Sequence, residues 1–211
     1  MIINSKVRCF HISSIHKLSN EIPEGRLQRP SSKGHYISSF KQVLYRHGAS
    51  MGTLALLGLT YSLYAGPNNH YVSDFANNPG IYVIAGSFLV AFFVFFLRFR
   101  QWELNKTQFL WIAYLLGISI VEEIAFRLTI PFFLAATLGS FSSVLVSNLL
   151  FAVIHYVTLR WKLVSCIFTF MGGMGLGRLL ENSENIVLVI LVHWFVTFLN
   201  TPRPPKNRVK N

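Results

Sequence analysis

Apolar residues along this chain gather into six runs, at about 49–66, 80–97, 109–130, 141–158, 163–180 and 185–200, separated by short polar turns. Most runs hold 16 to 22 residues, close to the ~20 that an α-helix needs to cross ~30 Å of hydrocarbon. The pattern predicts an all-α fold, a polytopic integral membrane helix bundle of six spans. The stretch 131–139, PFFLAATLG, begins with a proline and is too short to span. It is expected either to extend the third helix with a kink or to form an extra short interfacial or re-entrant helix. Trp102, Trp111 and Trp161 fall at the ends of runs, where amphipathic rings favour the headgroup region.

Composition supports the membrane reading. Of 211 residues, 52% are hydrophobic and only 13% charged, against about 25% charged in ordinary soluble domains. The net charge of +11 would suit nucleic acid, but the basic residues flank apolar runs and form no aromatic-interleaved stripe. They read as orientation signals, so the expected partners are membrane lipids and no nucleic acid. The loop 67–79 lacks Lys and Arg, 98–106 carries Arg98, Arg100 and Lys106, 159–162 carries Arg160 and Lys162, and 181–184 is acidic. Alternating these turns places both basic termini on one side of the membrane. That topology sets His155 nearer the positive side than Glu122, so the two meet only if the spans are tilted or unequal. The organisation expected is a basic segment 1–48, a membrane-embedded domain 49–200 and a basic tail 201–211. Cys9 and Cys166 have no metal-like spacing and make no disulfide framework.

Three charges break the apolar pattern. Glu122 and Glu123 stand side by side within 109–130, with Arg127 four residues on. A carboxylate at bilayer depth costs on the order of 3 kcal/mol, so the pair marks a site with partners elsewhere in the chain. Phe151 and His155 are four apart and share a helix face. His193 lies inside the last run, with Thr197 one turn further. Of seven histidines, only His155 and His193 lie in apolar runs. A lone intramembrane histidine commonly serves helix packing; two beside a carboxylate pair point to chemistry. Zinc ligation competes as a reading, although the Glu pair lacks the spacing that sets ligands on one helical face. Ser140, Ser142, Ser143 and Ser147 lack a nucleophile setting and are expected to pack helices, as are Gly173 and Gly177. The Phe-rich run 88–100 reads as lipid-facing, and Arg178 as a snorkelling cation.

Taken in order, Glu122-Glu123-x-x-x-Arg127, Phe151-x-x-x-His155 and His193 with Thr197 resemble the motifs of the CPBP family, the CAAX prenyl proteases and Abi-type intramembrane endopeptidases. The resemblance covers about residues 109–200. It implies a glutamate-dependent endopeptidase that needs no cofactor and acts on membrane-associated, in some members prenylated, proteins or peptides. By that resemblance Glu122 activates a water held with His155, Glu123 and Arg127 share charge, and His193 donates to the oxyanion. The family pattern has Asn or Asp four residues after the last histidine, where this chain has Thr197. That departure supports the alternative of a weakly active or inactive membrane scaffold of the same fold. A proton-coupled transporter would use similar residues, but no internal repeat accompanies the six runs.

The first twenty residues hold three basic residues, four serines, no acid and no apolar core. This fits a mitochondrial presequence better than a secretory signal. Arg8, Phe10 and Ser13 resemble a matrix-processing signal, which would place cleavage after Lys17. The expected location is the mitochondrial inner membrane, with the endoplasmic reticulum as the alternative. Import would make CAAX-prenylated proteins doubtful substrates, since they are processed on the cytosolic face of the endoplasmic reticulum.

Overall fold

A computed structural model describes residues 27–29, 37–65, 71 and 73–205; the presequence expectation lies outside them. Every extended element among the described residues is helical, and the one β-feature is an isolated bridge between Gln28 and Trp161. In chain order the helices are α1 (Phe40–Val43), α2 (Ala49–Ala65), α3 (Ser73–Asn77), α4 (Pro79–Phe99), α5 (Lys106–Glu123), α6 (Ile130–Leu138), α7 (Ser140–Thr158), α8 (Leu163–Ser183) and α9 (Ile186–Asn200). Two π-helical segments, Leu44–Gly48 and Ile124–Thr129, join α1 to α2 and α5 to α6.

All six apolar runs are helical, but they are unequal. Among the described residues, four stretches are long and apolar enough to cross a membrane: Pro79–Phe99, Lys106–Leu138, Ser140–Thr158 and Leu163–Ser183. The 15 residues of α9 span only about 22 Å. The structure thus supports an all-helical membrane protein with four candidate spans. The stretch 131–139 resolves to the first of its two expected forms: α6 extends the third helix, giving 33 continuous helical residues from Lys106 to Leu138.

Local chemistry explains where the helices begin. The Asn105 side chain accepts from the Gln108 N–H and the Asn185 side chain from the Leu188 N–H, each at 2.9 Å, capping otherwise unpaired donors of α5 and α9. Between α6 and α7 the chain turns at Gly139, whose φ of 76° suits a residue without a Cβ. Pro131 cannot supply an N–H to the ladder continuing from the second π segment. In that i→i−5 register its partner would be the Phe126 carbonyl, which instead accepts from Ser147 Oγ at 2.6 Å. A serine expected to pack helices thus ties α7 to the π segment.

Packing divides the bundle into a dry core and a lipid-facing skin. Phe93, Leu97, Trp111, Ile112, Leu115, Trp194 and Phe198 form one buried cluster between α4, α5 and α9, with Phe93 stacked on Phe198 at 3.9 Å. Met51, Ile118, Ala125, Phe126 and Phe151 form a second cluster around the centre of α5 and its π segment. On α4, by contrast, Phe88, Phe95 and Phe99 stand exposed, as a lipid-facing helix requires. Trp111 differs from the interfacial role expected of it. It is buried, and its indole N–H donates to the Thr201 carbonyl at 2.7 Å, because it sits within α5 and faces the end of α9. Arg178 is exposed and lies 3.5 Å from Glu181.

Small residues let α7 and α8 approach closely. Gly173 and Gly177 are buried, and a Cβ at Gly173 would overlap the Asn148 side chain. Gly175, on the same helix, faces open space. Gly173→Ala is therefore expected to destabilise the protein by about 1–3 kcal/mol through overpacking, and Gly175→Ala to leave it nearly unchanged. Thermal unfolding of the two variants in detergent, side by side, checks the difference.

Candidate active site

Glu122 and Glu123 end the regular part of α5, and the π segment begins at the next residue. A π-turn widens the helix and shifts the angular position of the residues after it, a device frequent at functional sites. Both carboxylates point inward, at 2% and 0% exposure, and Arg127 is buried beside them. The Arg127 Nε lies 3.1 Å from Glu123 Oε2, and its guanidinium rests over the Phe151 ring at 4.8 Å.

The two expected histidines arrive from different helices. His193 of α9 places Nδ1 2.6 Å from Glu123 Oε1 and Nε2 3.5 Å from Glu122 Oε2. His155 of α7 places Nε2 3.6 Å from Glu122 Oε1, while its Nδ1 lies 2.8 Å from the Phe151 carbonyl oxygen. A carbonyl only accepts, so His155 must carry its proton on Nδ1, which leaves the Nε2 lone pair facing Glu122 in the neutral ring. The spacing of Phe151 and His155 thus fixes a tautomer as well as a face. The meeting of His155 with Glu122 also settles the depth conflict. Unequal spans, 33 residues against the 19 of α7, bring one turn from the end of α7 level with the middle of the longer helix.

Sequence reasoning missed a third imidazole. His47, in the first π segment, is buried, and its Nε2 lies 2.7 Å from Glu122 Oε1, nearer than either expected histidine. Its Nδ1 lies 2.8 Å from Thr158 Oγ1, and that hydroxyl donates to the Ile154 carbonyl at 2.6 Å. The one sequence signal for His47 was its place just ahead of the first apolar run. It lay outside the run, in a basic stretch that read as a leader. The described residues of that stretch are held on the bundle: Arg46 Nε donates to the Thr158 carbonyl at 3.1 Å, and the Lys162 N–H to the Leu27 carbonyl at 2.7 Å.

These groups line a cavity of about 860 Å³. Glu122, His47, His155, His193 and Thr197 reach its wall; much of the remainder is apolar, including Trp111, Leu115, Ile118 and Phe168. Glu123 and Arg127 lie behind, off the cavity surface. Of the expected site residues, Glu123, Arg127, His155 and His193 therefore cluster around Glu122 by direct contact or through Glu123, and Thr197 contributes to the wall one turn beyond His193.

Ligand atoms of His47, Glu122 and His155 lie within 4.8 Å of one another, a set chemically suited to a metal ion. The spacing favours hydrogen bonding instead. Ligand atoms on a tetrahedral zinc stand about 3.3 Å apart, whereas His47 and Glu122 approach to 2.7 Å, a separation that calls for a proton between them.

Residues 104–199 match the family model described as type II CAAX prenyl endopeptidase Rce1-like. No curated protein and no solved structure matches the chain. The matched segment contains Glu122, Glu123, Arg127, His155, His193 and Thr197 and excludes His47.

Glu123 depends on Arg127 for its charge balance. Arg127→Ala leaves a buried carboxylate without its cation and is expected to cost about 3–5 kcal/mol. Adding Glu123→Gln to that variant is expected to recover part of the loss, as measured by a double-mutant cycle on thermal or denaturant unfolding.

Proposed function

Because residues 104–199 match the model of the type II CAAX prenyl endopeptidase Rce1-like family, we propose that this chain is a glutamate-dependent intramembrane endopeptidase of membrane-associated peptides. The observation that carries this reading is the convergence of the Glu122 carboxylate with the Nε2 atoms of His155 and His193 on one largely apolar cavity.

The chemistry follows from the tautomers. A water on the cavity side of the Glu122–His155 pair, whose facing atoms are 3.6 Å apart, can reach both and donates one proton to each, which turns an oxygen lone pair toward the cavity. That oxygen attacks the scissile carbonyl carbon, the C=O π pair moves to oxygen, and the water proton passes to Glu122. His193, whose Nδ1–H faces the ionised Glu123, donates from Nε2 to the developing oxyanion when doubly protonated. Arg127 keeps Glu123 charged for that purpose. Collapse of the intermediate breaks the C–N bond, and the proton on Glu122 leaves with the amine. The apolar wall suits an acyl-chain or prenyl-like segment beside the peptide, and six membrane-embedded helices with both basic ends on one side complete the arrangement.

Thr197 favours the second reading, a scaffold of reduced or absent turnover. Its hydroxyl offers one short donor where the related motif has an amide, and losing an oxyanion donor costs ~10²–10³ in rate. One assay separates the readings: purified protein with a panel of prenylated and unprenylated membrane peptides. The endopeptidase predicts cleavage abolished by Glu122→Gln and His155→Ala with little loss of stability, and faster turnover in Thr197→Asn. A scaffold predicts no cleavage by folded wild type, with Glu122→Gln acting on folding alone.

The choice of membrane rests on residues 1–20, whose composition supports mitochondrial import, which makes CAAX-prenylated proteins doubtful substrates. Residues 1–45 fused to a fluorescent protein are expected to enter mitochondria. A cytosolic signal would remove that basis and restore prenylated substrates.

A further inference from the structure

We infer that His47 is a positioning residue for the general base. It holds a proton on Nε2 against Glu122 Oε1, fixing the carboxylate's orientation and balancing its charge. The inference rests on the proposed role of Glu122 as base, and it adds a residue from outside the segment that matches the family.

The hydrogen-bond geometry carries the argument. Thr158 Oγ1 uses its proton on the Ile154 carbonyl at 2.6 Å, so it can only accept from His47 Nδ1, 2.8 Å away. His47 therefore bears a proton on Nδ1. Its Nε2 nonetheless stands 2.7 Å from Glu122 Oε1, and two lone pairs do not approach to hydrogen-bond distance without a proton between them. His155 is oriented in the same way by the Phe151 carbonyl, yet its Nε2 stays 3.6 Å from the same oxygen. One imidazole is bonded to the carboxylate, and the other stands outside hydrogen-bond distance of it.

Charge gives an independent reason. The groups facing Glu122 are His47 from the first π segment, His155 from α7 and His193 from α9, with Tyr114 further down α5 on the cavity wall. Behind it, Glu123 is matched by Arg127. Glu122 is then the one carboxylate of the pair without a permanent cation, and a protonated His47 supplies a positive partner in direct contact with it. The bond also leaves Glu122 Oε2 unoccupied by His47, on the side where His193 stands.

The first π segment explains why this residue reaches the site. In that segment the Ala49 N–H bonds to the Leu44 carbonyl, five residues back. Gly48 follows directly, and a Cβ there would crowd Leu44 and Tyr114 at 3.3–3.4 Å. A wide turn and a small neighbour let the His47 ring enter between α5 and α7, where it packs edge-on to His155 at 4.8 Å.

The test uses full-length protein in detergent with ¹⁵N-labelled histidine, His47→Gln serving to assign the His47 signals. The expected result is a His47 ring protonated on both nitrogens in wild type, reverting to the neutral Nδ1–H form in Glu122→Gln. In the cleavage assay, His47→Ala is expected to lower kcat by on the order of 10-fold to 100-fold, as for other orienting partners, with KM little changed. His47→Gln, which keeps a donor without the charge, should recover part of that loss. A neutral His47 in wild type, or wild-type kcat in a folded His47→Ala, would overturn the inference. So would a stoichiometric divalent metal, measured by elemental analysis, that is lost on His47→Ala. Should wild type cleave nothing while His47 is doubly protonated, the endopeptidase reading fails and the ion pair stands. Thr158→Val, which removes only the Nδ1 acceptor, provides a milder variant should His47→Ala not fold.

Discussion

Two neighbouring carboxylates buried in an apolar bundle constrain everything around them. Glu122 and Glu123 are almost wholly removed from solvent, and burying an ionised carboxylate without partners costs far more than a helix contact returns. The bundle answers with four side chains from four places: Arg127 one turn on, His47 before α2, His155 on α7 and His193 on α9. Those tethers join helices that have no hydrophobic reason to choose one another in lipid, where the surroundings are as apolar as the packed faces. The polar cluster therefore organises the bundle as well as the chemistry. This is why a scaffold and an enzyme could share the same residues.

The division of labour between the carboxylates comes from their surroundings. Glu123 is enclosed by Arg127 and His193 Nδ1 and does not reach the cavity. Glu122 does reach it, and meets three imidazole Nε2 atoms whose opposite nitrogens are spoken for by Phe151, Thr158 and Glu123. Acceptors at the back of each ring thus decide what the front can do, as in metal sites where outer partners set the tautomer. The π segments serve the same end. One comes directly after the Glu pair and holds Arg127, and the other contains His47, so both wide turns carry side chains of the cluster.

Much of the fold was legible because a membrane makes hydrophobicity nearly sufficient. The run read as 163–180 became Leu163–Ser183, 141–158 became Ser140–Thr158, and 49–66 became Ala49–Ala65. Backbone groups in lipid must bond within their own segment, so an apolar run of that length has one available structure. Trp111 shows where this logic stops. Its place near a run's start suggested the headgroup region, yet the Thr201 carbonyl and the Phe93–Phe198 core claim it.

By itself the sequence determined the helices and the need for a site: charge in an apolar run demands partners, and 3.6-residue periodicity says which motif residues share a face. It also marked Glu122, Glu123, Arg127, His155 and His193, since each is polar where only apolar residues are stable. The tertiary structure alone decided which of these touch. Depth and angle depend on how unequal helices cross, and no spacing along one helix encodes its crossing with another. It alone also admitted His47. A histidine ahead of an apolar run is ordinary until a π-turn carries it to 2.7 Å from a buried carboxylate.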